Sequence, residues 1–174
     1  MMKLLAMIII CLMSVCVFAQ EQEEAQNVQA NADAPEPSVT PDLLAQIADD
    51  TKFNNAVYFL RLKKISKAAE ELQEYLEIYY YGSHRNEAWN KLAAIYYDRM
   101  DYLKAISFYE RLYEEFATGE DGASACFNMG LCYAKMGYDA EAADMFVKIT
   151  AEYPSSSYAA RARDQLKLLN MLGE

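Results

Sequence analysis

The sequence predicts an all-α fold: an α-solenoid of three helical hairpins closed by a single C-terminal helix. Three observations predict it. Shifted by 37 residues, the chain matches itself twice. The shift aligns Phe59, Tyr96 and Tyr133; Ala68, Ala105 and Ala142; Leu72, Tyr109 and Phe146; Tyr75, Leu112 and Ile149; Tyr79, Phe116 and Tyr153; Ala88, Ala125 and Ala162; and Leu92, Met129 and Leu166. Apolar columns in fixed register mark stacked units, each burying an apolar face on its neighbour. Within a unit these residues recur at i, i+4 and i+7, the stripe of a half-buried helix. Lastly, 6 Gly and 4 Pro in 174 residues are too few for the turns of an all-β fold.

Charge and chemistry narrow the function. The chain carries 26 acidic against 16 basic residues, a formal charge of −10, so no nucleic acid partner is expected, because phosphate binding needs a basic face. A single histidine removes most His-based metal and triad chemistry. No Gly-rich phosphate loop, H-E-x-x-H, G-x-S-x-G or C-x-x-C pair is present. The expectation is a non-enzyme with no cofactor, no metal site and no catalytic residue. His84, in the turn Ser83-His84-Arg85, is expected to be solvated, as are the acidic pairs Glu70-Glu71 and Glu114-Glu115.

The elements follow in order. Residues 1–19 read as a secretory signal: Lys3, then an uncharged run from Leu4 to Phe18, then Val17 and Ala19 as the small residues of a cleavage site. The run is shorter than the roughly 20 residues that span a bilayer. Retention as an uncleaved anchor, or lipidation of Cys16 in Met13-Ser14-Val15-Cys16, remain the alternatives, and only these bring the chain to a membrane. The signal places the protein outside the cytoplasm, in a periplasm or bacterial envelope. Residues 20–40 read as an acidic disordered linker, too polar to offset chain entropy; residues 20–50 hold eight acids and no base.

Thr40-Pro41-Asp42 opens the helical domain, residues 41–174, with a capping hydroxyl, Pro at the first helical position and an acid near the positive dipole end. The units span about 49–85, 86–122 and 123–156, with a cap over 157–172. In the second unit the helices run from about Asn86 to Arg99 and from about Tyr102 to Phe116, broken at Arg99-Met100-Asp101 as at Lys63-Lys64-Ile65 and Met136-Gly137-Tyr138. Ala68, Ala105 and Ala142 allow paired helices to approach closely. Pro154 ends the last paired helix and Ser155-Ser156-Ser157 starts the cap, whose outer face is polar at Arg161, Arg163, Asp164 and Lys167, as a terminal helix requires. Cys126 and Cys132, six residues apart on one helix, point to different faces and read as small buried hydrophobes.

These columns resemble the tetratricopeptide repeat (TPR). The second unit supplies Trp89, Leu92, Ala93, Tyr96, Ala105 and Tyr109; the third supplies Met129, Gly130, Tyr133, Ala142, Phe146 and Pro154, with Cys126 in the Trp position. The usual period is 34 residues; here it is three longer. Together with the segment Glu152 to Ala160, that resembles the subtype of bacterial envelope proteins such as the outer-membrane-assembly lipoprotein and the periplasmic Tol–Pal-associated protein.

The resemblance implies a scaffold or adaptor whose concave face binds a protein or peptide of the cell envelope. It assigns to that face Phe53, Asn54, Val57, Leu60 and Arg61; Asn90, Lys91, Ala94, Tyr97 and Asp98; and Phe127, Asn128, Leu131, Ala134 and Lys135. Among these, Asn54, Arg61, Asn90, Lys91, Tyr97, Asp98, Phe127, Asn128, Leu131 and Lys135 are the candidate protein-binding residues. A helix over 41–50 lying across some of them is the alternative. The family's clamp for a terminal carboxylate is not supported, since Phe53, Val57, Ser124 and Asn128 stand at its positions. Other readings of the chain are a self-assembling envelope module, with Tyr80 and Tyr81 as a surface patch, or an accessory subunit of an envelope hydrolase.

Overall fold

A computed structural model of the chain describes residues 40–172, so the expected export segment (1–19) and the linker before Thr40 lie outside the described residues. Seven helices and no strand fill the described part: α1 (Pro41–Arg61), α2 (Ile65–Ile78), α3 (Arg85–Asp98), α4 (Tyr102–Glu115), α5 (Glu120–Met136), α6 (Asp139–Glu152) and α7 (Ser157–Leu172). They pair as α1–α2, α3–α4 and α5–α6. The last helix, α7, packs on α6 and α5.

All three hairpin turns share one geometry. Lys63, Met100 and Gly137, 37 residues apart, hold φ of 57°, 60° and 78°. After each, an amide reaches back five residues to a carbonyl: Lys64 to Phe59 at 2.9 Å, Asp101 to Tyr96 at 2.9 Å and Tyr138 to Tyr133 at 3.0 Å. This satisfies carbonyls that a helix end leaves without partners. Only the third turn has the glycine that this left-handed conformation favours.

The apolar columns form the core. Ala68, Ala105 and Ala142 are fully buried, and so are Leu72, Tyr75, Leu112, Phe146 and Ile149, with Tyr109 nearly so. Phe53 and Ala56 of α1 pack with Ala69, Leu72 and Tyr75 of α2 and with Ala88, Leu92 and Ile95 of α3. Trp89, Tyr96 and Tyr133 are only partly buried, covering the edges of the clusters. Close approach explains Gly130: a Cβ there would lie 2.7 Å from the Phe146 ring, so that ring of α6 rests directly on the backbone of α5.

The structure corrects three local expectations. Helix α1 is unbroken from Pro41, so residues 41–50 extend the first helix and form no separate layer over the concave face. His84 is not simply solvated: its ring stacks on Phe53 at 4.5 Å and its Nε2 lies 2.7 Å from Asp50 Oδ1. Nor do all the acidic pairs face solvent. Glu71 is largely covered and bonds Lys52 at 2.8 Å and Lys67 at 3.2 Å, while Glu115 grips Arg85. Lys52 and Arg85 reach these carboxylates from other helices, which spacing along one helix does not reveal. No described helix is long and apolar enough to cross a membrane.

Candidate protein-binding face

The first helices of successive units, α1 and α3, diverge beside the start of α2 and leave an open cleft of about 390 Å³. Leu60 of α1, Ile65 of α2, and Ala94 and Ile95 of α3 make its aliphatic floor; Lys91, Asp98 and Arg99 make its charged rim. Helical spacing brings these together, because Lys91, Ala94 and Asp98 recur at three and four residues along α3. Lys91 is lightly held, 3.7 Å from Glu87. Arg99 donates to Ser66 Oγ at 3.0 Å and lies over the Tyr96 ring at 5.7 Å. Apolar area flanked by one carboxylate and two cations suits a peptide with an apolar anchor and charges of both signs.

The ten candidate residues divide into groups. Lys91 and Asp98 line the cleft. Tyr97 meets Tyr102 edge-on at 5.4 Å, and burial raises its hydroxyl pKa, with Cys132 a lesser cause. Asn90, Asn128 and Leu131 are partly exposed and Lys135 is exposed. Asn54 and Arg61 lie on the exposed face of α1, outside the cleft lining.

Phe127 is a correction: it is 2% exposed and offers no surface to a partner. Tyr158 of α7 packs on its ring at 5.5 Å and the Arg161 guanidinium covers it at 4.3 Å. The C-terminal helix folds back over the third unit and occupies that end of the face. Sequence reasoning missed Ile65, Ile95 and Arg99, which belong to the repeat's packing positions and turns; no signal short of the helix crossing would have put them in a cleft.

A second cleft, about 510 Å³, lies between the start of α1 and the turn after α2. Ala45, Gln46, Ala48, Ile78 and Tyr79 to Tyr81 line it, and Tyr81 is 94% exposed. Its floor is a buried carboxylate. Asp49 accepts from Tyr75 Oη at 2.5 Å, the Ser83 amide at 2.7 Å and Ser83 Oγ at 2.9 Å. Burial opposes the charge on Asp49, but these bonds, with His84 nearby, outweigh it and hold the carboxyl below the usual range. Among the described residues no cluster of side chains could hold a metal. The Cys126 and Cys132 thiols are buried and free, and burial pushes them up to about 11 and about 12. They are poor nucleophiles at neutral pH.

Paired helices at a 37-residue period, with a cleft between the first helices of the first two units, define a tetratricopeptide-type helical repeat protein. Residues 46–172 match the YfiO family, described as outer membrane lipoprotein, and the chain belongs to that family. Its fold is similar to PcrH from Pseudomonas aeruginosa, with a TM-score of 0.60, 16% identity and 79% of this chain and 98% of that one covered. It is also similar to the C-terminal TPR-containing domain of a Plasmodium falciparum FK506-binding protein, with a TM-score of 0.55, 17% identity, and coverage of 74% and 90%. At these identities the likeness is one of fold. No curated protein matches the chain significantly.

Proposed function

We propose that this protein is a non-catalytic adaptor of the bacterial cell envelope that holds a protein or peptide partner in the cleft between α1 and α3. The observation that carries the proposal is the cleft itself, where Leu60, Ala94 and Ile95 present apolar area beside Lys91, Asp98 and Arg99. The outer membrane lipoprotein family supports the envelope setting. It also supports lipidation of Cys16 over cleavage after Ala19, with the linker holding the repeats away from the membrane.

Two experiments test this. A photo-reactive residue at Ala94 is expected to cross-link a discrete envelope protein in cells, and the same probe at Glu110, outside the cleft, is expected not to. Equal labelling from both positions overturns the cleft assignment. Palmitate is expected to label the chain and Cys16→Ser to abolish the label; an unlabelled wild-type chain overturns the lipid anchor and leaves cleavage after Ala19 or retention of the uncleaved run.

A further inference from the structure

Helix α1 has a second face that the cleft does not use. Leu44, Ile47, Thr51, Asn54, Tyr58 and Leu62 recur at three and four residues and are all exposed, with the four large apolar side chains about half exposed. Repeat register shows what this face is for. One period after Thr51 and Tyr58 stand Ala88 and Ile95, and two periods after them Ala125 and Cys132, all buried. At these two positions the second and third units stack on the preceding unit, while Lys91, one period after Asn54, lines the cleft. On α1 nothing among the described residues covers it, whereas α7 closes the opposite end of the solenoid.

We propose that a second copy of the chain covers this face, the two α1 helices pairing antiparallel about a two-fold axis near residues 52 and 53. The stripe is self-complementary about that point. Ile47 falls opposite Tyr58 of the second copy, Thr51 opposite Asn54, and Leu44 opposite the aliphatic stem of Arg61. Charge follows the same symmetry. Asp42 stands in the first turn of α1, while Arg61, Lys63 and Lys64 stand at its end and take part in none of the ion pairs among the described residues. Antiparallel pairing sets Asp42 opposite Lys63 and opposes the two helix dipoles favourably. A parallel pair would set like charges together.

The chain from Gln20 onward keeps every described residue and is suited to light scattering over a micromolar concentration series. We expect a monomer–dimer equilibrium. Ile47→Glu with Tyr58→Glu, on exposed positions that spare the fold as checked by circular dichroism, should weaken the dimer at least tenfold. Asp42→Lys should weaken it and Asp42→Lys with Lys63→Asp should restore it. Under mild oxidation a mixture of Ile47→Cys and Tyr58→Cys chains should cross-link as heterodimers; Cys126 and Cys132 are buried and do not interfere. A strict monomer at all concentrations overturns the proposal, as does self-linking of Ile47→Cys alone, which signals a parallel pair. Dimerisation only after deletion of residues 20–40 also overturns it, because the face is then covered by the chain's own linker.

Discussion

The turn joining the first hairpin to the second and the turn joining the second to the third solve one packing problem with opposite chemistry. At the first, Arg85 is 6% exposed. It donates to the carbonyls of Leu76 at 2.8 Å and Tyr79 at 3.0 Å, and grips Glu115 with two bonds of 2.9 and 2.6 Å. Beside it the buried Asp49 and Tyr75 form a network that the exposed Ser83 closes from the solvent side. One period later Gly122 stands in place of Arg85, Asn86 in place of Asp49 and Leu112 in place of Tyr75. There the chain closes on itself: a Cβ on Gly122 would run into the Ala117 carbonyl and the Tyr153 hydroxyl, and Tyr153 donates to that carbonyl at 2.5 Å. The same repeat register tolerates a half-buried ion pair or a contact of small groups. The polar version is the more fragile, because losing one partner strands the rest without water.

Removing α7, which closes the third unit against α5 and α6, has the strongest consequence. A chain ending at Ser156 loses α7, uncovers Phe127, and is expected to unfold or aggregate at 25 °C, as read by circular dichroism and light scattering. Next, Arg85→Ala leaves Glu115 and two carbonyls without their donor. The expected loss is about 2–4 kcal/mol, below the fully buried limit because Glu115 keeps some exposure. Hydrogen exchange should localise it, with protection falling in α1 and α2 and holding in α5 to α7.

Gly130→Ala pushes a methyl group against the Phe146 ring in the tightly closed third unit. It is expected to cost about 1–3 kcal/mol by chemical denaturation. Asp49→Asn probes the polar turn through pH. The folded carboxyl is held below its unfolded value, so its contribution is fully present above a pH of about 4 and is lost as pH falls through the folded pKa. The variant is expected to be less stable by about 1–2 kcal/mol at pH 7, with the gap from wild type closing as pH falls below 4 in urea titrations. The smallest effect is a gain: Met100→Gly relieves a left-handed residue at the second hairpin turn, raising stability by up to about 1 kcal/mol.

The helices, their pairing and the core were legible in the residues alone. The columns from Ala68 to Ala142 and from Leu72 to Phe146 are buried because helical period and repeat register leave them one inward direction. The three breaks at Lys63, Met100 and Gly137 were legible for the same reason. Which surface positions remain surface depends on how the units and the last helix pack. Phe127 sits at a position equivalent to Asn90, yet α7 returns over it, while Asn54 and Arg61 share a register with Lys91 and Asp98 but face outward, since among the described residues no unit stands before α1. His84, Glu71 and Glu115 acquired partners from elements 19 to 34 residues away. Periodicity describes one helix and its neighbours in register; a cleft, a covered ring or a buried ion pair depends on where the ends of the solenoid fall and on which distant side chains reach them.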